Sequence, residues 1–366
     1  MAFRKSTETR PQIREVSPVA AIPGGEFQIR GKGLASPGAS TSGVPTSGPA
    51  TAGSSTSGLS TSARPHVRFG EVTAPIVIGS DSFVIVRVPD GATPGEMTVG
   101  RDHLTVPWTC GVGILVADTL HPVANPVIDH FGNIYTTFSG SPGQKTPVSV
   151  YKIDANHRAN PLVTDLMNAT GLALDEDGTL YVSSRHDGIV YQISPAGNTS
   201  TYVEGMGVAT GIAFDVDGNL FVGDRSGTIF KISRDRQIYV FATLEPSIAA
   251  YHLAFGPDEY LYVTGPTTSS FDSIHRISHA GQVETFYRGV GRPQGMAFDV
   301  DGNLYVASSL GGRRGVVRIA PDRTAELFLS GPAIVGLAFS PSKALVLATN
   351  NSIYRVDVGI EGRRIP

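Results

Sequence analysis

Apolar and polar residues alternate along most of this chain in short runs, the period-two pattern of half-buried strands, broken by Gly, Asp and Asn. The stretch 210–233, TGIAFDVDGNLFVGDRSGTIFKIS, is the clearest example. Residues 211–215 and 219–223 flank Asp217-Gly218, the strongest short-range signal for a tight hairpin. A second hairpin passes through Arg225-Ser226-Gly227 into a third strand. Near copies begin at Thr170 and Gln294, and weaker ones at Asn125, Tyr251 and Val335. The equivalent second-strand residues Ile134, Leu180, Leu220, Leu261, Leu304 and Leu345 are spaced 46, 40, 41, 43 and 41 residues apart. That period, with four strands per unit, predicts a six-bladed β-propeller over 112–358.

The sixth unit ends at Val358, and the GIEGRRIP that follows makes a poor outer strand. Residues 112–120, VGILVADTL, look instead like the outer strands that end the other units. The expectation is that 112–118 completes the last blade, closing the ring so that no sheet edge is left unpaired. Gly171, Gly211, Gly295 and Gly336 each precede an alanine by two residues, small side chains suited to inner strands that converge on an axis. The fourth unit departs from this by carrying His252 at the glycine position.

Residues 11–106 follow a different rhythm. Alternating apolar positions at Ile13 and Val16, Phe27 and Ile29, Val67 and Phe69, and Val84, Val86 and Val88 predict a small β-sandwich. Residues 35–64 interrupt it with Ser, Thr, Gly, Ala and Pro, and that composition cannot bury enough apolar surface to offset its ordering entropy. A disordered loop is expected there, either a neutral expansion or a glycosylated spacer. Pro107–Gly111 reads as a linker, with Trp108 at the boundary. The turn and core residues Val16-Ser17-Pro18, Gly24-Gly25-Glu26, Gly31-Lys32-Gly33-Leu34, Val67-Arg68-Phe69-Gly70 and Val88-Pro89 resemble the IPT/TIG immunoglobulin-like domain. That resemblance implies a fold and no chemistry. The expected class is all-β throughout.

Composition narrows the function. Lys and Arg number 29 against 32 Asp and Glu, a net charge of −3 that supplies no global field to draw in nucleic acid. One cysteine, Cys110, rules out an internal disulfide and a paired-cysteine metal site, and suits a small buried residue. The N-terminal residues lack the apolar core of a secretory signal, and no apolar run is long enough to span a bilayer, so a cytoplasmic protein is the default. A removed leader or a misplaced start codon would leave the same sequence in an extracytoplasmic protein.

Ligands of propellers gather where inner strands begin, around the channel. That rim would present Asn168, Thr170, Thr210, Tyr251, His252, Arg292 and Gln294, with Arg185, Asp224 and Arg225 on neighbouring loops, joined by His186, Asp272, Arg313, Arg314 and Asn350. Several arginines on one rim could hold a carboxylate or phosphate by paired hydrogen bonds, or be solvated, with Arg225 paired to Asp224. His252 is either a base or ligand at the channel mouth or a plug hydrogen-bonded to a neighbouring strand. The Asp-x-Asp-Gly turns at Asp175, Asp215 and Asp299 lack the later glutamate of a calcium loop and are hairpin turns. His275 and His279 lack the helix that would make their spacing metal-competent, and no nucleophile elbow, phosphate loop or dinucleotide fingerprint occurs.

The repeat core at 210–233 and 294–320 resembles NHL-repeat and senescence marker protein/gluconolactonase-like propellers. That resemblance implies a divalent metal at the channel held by Glu, Asn and Asp, the last two just before inner-strand glycines. Here those positions are Thr170, Thr210, Gln294 and Val335, none a carboxylate. The expected function is therefore non-enzymatic, a channel face that binds a small polar or anionic ligand, a glycan or a protein, with no cofactor. The alternative is a sugar-lactone hydrolase with altered ligands for calcium or zinc.

Overall fold

The computed structural model describes residues 10–35, 65–101, 103–141, 143–268 and 272–363. Residues 36–64, on which the disordered loop was expected, lie outside them; Ala35 is described and is buried. Every regular element among the described residues is a strand, and the chain is all-β. It divides into two compact units, the boundary falling between Val112 and Gly113.

In the first unit, Gln12–Ser17, Glu26–Lys32, Phe83–Arg87 and Ile76–Gly79 form one antiparallel sheet in that order. Ala20–Ala21, Leu104–Val112, Gly95–Arg101, Pro65–Phe69 and Val72–Ala74 pair successively alongside one another. Both sets share a single core in which Phe27 and Phe69 stack with ring centroids 5.9 Å apart. Residues 107–111 form no linker: Pro107 pairs with Thr98 and Trp108 with Met97 inside the long strand, and Trp108 packs against this core. The alternation through Val106, Trp108 and Cys110 carries the strand past the expected boundary at 106. Cys110 is buried, and that burial pushes its thiol up to about 11, so it stays protonated and unreactive.

The second unit repeats one motif. Val127–Ile128, Ile134–Thr137, Val150–Ile153 and Ala159–Val163 make a first four-stranded antiparallel sheet paired in chain order. Ala169–Leu174 begins the second sheet, Ala209–Phe214 the third, His252–Phe255 the fourth and Met296–Phe298 the fifth, each followed by three more strands. In the sixth, Ile334–Phe339, Ala344–Thr349 and Ile353–Asp357 are joined by Ile114–Ala117, which pairs antiparallel with Ile353–Asp357.

Each inner strand, or the residues leading into it, bonds to a neighbouring sheet. Ser183 Oγ donates to Thr210 O between the second and third, and Tyr251 N to Thr210 Oγ1 (3.1 Å) between the third and fourth. Thr264 Oγ1 donates to Gln294 O (2.6 Å), and Gly295 N to Val335 O (3.1 Å). Asn125 connects the first, fifth and sixth sheets, donating to Met296 O and accepting from Leu337 N, both at 3.0 Å. A Cβ on Gly336 would lie 2.6 Å from Asn125 Cα, so only glycine permits this approach.

At the opposite end, the Asp-x-Asp-Gly segments are hairpin turns. Gly218, at φ +76°, donates to Asp215 O, while Asp215 Oδ1 accepts from the backbone of Asp217 and Asn219. Each turn aspartate is therefore engaged by its own loop.

Candidate functional site

Two faces result: a turn face carrying the Asp-Gly hairpins, and a loop face where inner strands begin and second strands hand over to third strands. Residues 138–149, between the second and third strands of the first sheet, form the longest such loop in the second unit. Asn168 holds this loop. Its side chain donates to Gly140 O and Ser141 O and accepts from Gly143 N at 2.9–3.0 Å, from a backbone at φ +50° that asparagine tolerates.

The loop walls a cleft of 530 Å³ lined by His121, Phe138, Ser139, Gln144, Thr146 and Arg185, among others. Arg185 comes from the equivalent loop of the second sheet and donates from Nη2 to Gly140 O at 3.0 Å. It is half-buried and has no carboxylate partner among the described residues. Burial first, and the positive charge of Arg225 second, lower its pKa, so two guanidinium groups repel one another at this rim. Ser139, another lining residue, is fully buried, and its hydroxyl has no hydrogen-bond partner among the described residues. The His121 and Phe138 rings, 6.3 Å apart, form an aromatic wall. A carboxylate or phosphate oxygen here would meet the Arg185 guanidinium donor, and the shielded Ser139 hydroxyl leaves a hydrogen bond unmade at a cost of about 1–3 kcal/mol.

Of the residues expected at the site, only Arg185 lines the cleft, and Asn168 supports it. Thr170 and Thr210 are buried, their hydroxyls bonded to Asn168 O and Gly223 O. Asp224 does not pair with Arg225. Its carboxylate accepts from Val208 N and from Ser226 N and Oγ, closing the hairpin loop. Arg225 instead donates to Ile248 O at 3.2 Å and keeps a buried Nε without a partner among the described residues. Tyr251 is buried, its hydroxyl donating to Glu245 O, and burial pushes its pKa up to about 12. Arg292 is exposed, at φ +49°, and Gln294 is tied by its backbone to Ala307 and Thr264.

His252 is buried, but the hydrogen bond expected of a plug is not made: its ring has no such partner among the described residues. Burial alone drops its pKa to about 4, so the imidazole is neutral near pH 7. Asp272, also buried, accepts twice from Thr267 through Oδ1, and its Oδ2 has no partner among the described residues.

A metal of the lactonase kind does not fit these residues. Among the described residues no three His, Cys, Asp or Glu side chains converge. Thr170 and Thr210 stand where oxygen anions would be needed, and both hydroxyls are engaged by backbone carbonyls.

The residues missing from the sequence-based set are His121, Phe138, Ser139 and Gln144. One signal did point to them: the spacing of 46 residues after Ile134 is the longest of the five, and the surplus lies in this loop.

No protein-family model and no curated protein matches the chain. Solved structures do. A putative gluconolactonase is 16% identical over 69% of this chain and 94% of its own, with a TM-score of 0.57. An auxiliary nutrient binding protein from Bacteroides thetaiotaomicron is 11% identical over 95% of this chain and 97% of its own, at TM-score 0.52. A streptogramin B lyase is 14% identical over 72% and 86%, at TM-score 0.50. At such identities the likeness is one of fold, and the second unit is a β-propeller.

Proposed function

We propose that this chain is a non-enzymatic binding protein whose propeller takes a small anionic ligand in the Arg185 cleft. The observation that carries this reading is the pairing of a half-buried guanidinium lacking a carboxylate with a fully buried, unpartnered Ser139 hydroxyl in one cleft. A nutrient binding protein of similar fold supports a binding role. The net charge of −3 argues against nucleic acid as the partner.

In this reading the six sheets form a closed ring, Ile114–Ala117 completing the last blade; the inner-strand contacts that run from sheet to sheet support it. The repeats are of NHL type. The first unit is an immunoglobulin-like domain of the IPT/TIG kind, supported by its shared core and the Phe27–Phe69 stack, and it ends at Val112.

A thermal-shift screen of small carboxylates and phosphates against the full chain tests the reading. Ligands that raise the melting temperature of the native chain should leave Arg185→Gln unmoved. Turnover of a sugar lactone by the same preparation would overturn the non-enzymatic assignment.

A further inference from the structure

On the turn face one hydrogen-bonded unit recurs in four of the six sheets; the sixth carries Ser340 and Val346 at its positions, and the third keeps the aspartate but lacks the tyrosine. Tyr135, Tyr181 and Tyr305, each at the second residue of a second strand, donate their hydroxyls to Oδ2 of Asp129, Asp175 and Asp299 at 3.1–3.2 Å. In the fourth sheet Tyr262 donates likewise to Asp258 at 3.0 Å. In the third sheet Phe221 stands in place of the tyrosine, and among the described residues Asp215 Oδ2 accepts only from Asn219 Nδ2, at 2.8 Å. Lys231 Nζ is 3.9 Å away, beyond hydrogen-bonding distance, and sits 5.5 Å above the Phe221 ring. Lys152 takes the same position over Tyr135, so the missing hydroxyl is the real difference between these sheets.

A cleft of 290 Å³ opens where that hydroxyl is absent. Asp215, Asp217 and Glu259 contribute carboxylates, and half-buried Phe241 and Phe255, edge-on to Phe221, supply apolar wall. His279 Nε2 lies 3.5 Å from Glu259, and the C-terminal segment brings Arg363 to the rim by donating from its backbone to Phe298 O. Among the described residues Lys231 is the one cation within 4 Å of the Asp215 carboxylate, and it stands there on a flexible stem whose side chain is 35% exposed.

We propose that this cleft is a second binding site, independent of the Arg185 cleft, and that it takes a primary alkylammonium group. One N–H donates to Asp215 Oδ2 in place of the tyrosine hydroxyl, and the charge is shared with Asp217. The alkyl chain lies along Phe241 and Phe255, and the ammonium gains from the ring face as Lys231 does. Lys231 is then a built-in competitor, holding the place loosely when the cleft is empty.

Calorimetric titration of the full chain with butylammonium, with butanol as its uncharged counterpart, tests this. Saturable binding of butylammonium and none of butanol is expected. Phe221→Tyr restores the hydroxyl found in four other sheets, so the fold should be kept while affinity falls by about tenfold or more. Lys231→Met should tighten binding about tenfold by removing the competing charge. Arg185→Gln should leave butylammonium affinity unchanged, which separates this site from the first. Equal binding of butanol, or unchanged affinity in a folded Phe221→Tyr protein, would overturn the proposal.

Discussion

The two faces of the propeller unit are built on opposite principles. On the turn face the same aspartate–tyrosine bond recurs in four sheets, and Phe221 is the conspicuous departure. On the loop face the groups vary from sheet to sheet: Asn168 braces a long loop, Asp224 closes a short one, and His252 stands where four other sheets carry glycine. Repetition marks what the fold requires of every blade. A group the repeat does not engage, such as the Ser139 hydroxyl without a partner or the Arg185 guanidinium without a carboxylate among the described residues, marks what a ligand can use.

Substitutions at the convergent inner strands should have the largest effect. Gly336→Val drives its side chain into Ala124 and Asn125, and chemical unfolding should register a loss of about 3 kcal/mol or more. A native-like stability would mean that the inner strands are not tightly apposed.

Next comes His252. Its pKa falls from an ordinary 6.5 when unfolded to about 4 when folded, so the unfolded chain binds the extra proton first. Its contribution is intact above pH 6.5 and is lost as pH drops towards 4, by up to about 3 kcal/mol. Unfolding followed by pH should show that slope in the native chain and a flatter profile in His252→Asn.

The turn face should respond more gently and in both directions. Tyr305→Phe removes a buried hydrogen bond to Asp299 and should cost about 1 kcal/mol, whereas Phe221→Tyr should cost nothing or gain up to about 1 kcal/mol. If the two changes act with the same sign, the aspartate–tyrosine bond is not the repeated stabilising unit argued here.

Much of the fold was legible because its causes are local. Asp-Gly turns and period-two alternation depend on neighbours in sequence, and the spacing of Leu180, Leu220 and Leu261 lands on second strands. Residues 107–111 look like a linker through their proline and glycine, whereas strand alternation continues through them. The candidate site was far less legible. Whether a rim arginine is free depends on distant groups: Arg185 reaches across to Gly140, and Asp224 is taken by Val208 and Ser226, so no pair forms with adjacent Arg225. Ser139 is an ordinary serine in sequence, and only burial without a partner distinguishes it. The thin trace it left was the extra length of the first repeat.

The smallest effect on stability should accompany the largest on binding. Arg185→Gln should leave the melting temperature within a degree or so, since a half-exposed arginine bonded to one carbonyl contributes little to folding. Benzoate makes the decisive probe, with a carboxylate for Arg185 and Ser139 and a ring for the His121–Phe138 wall. Calorimetric titration should give saturable one-to-one binding to the native chain and at least about tenfold weaker binding to Arg185→Gln. Equal affinity in the two proteins, or no heat of binding in either, would contradict the assignment of this cleft as the anion site.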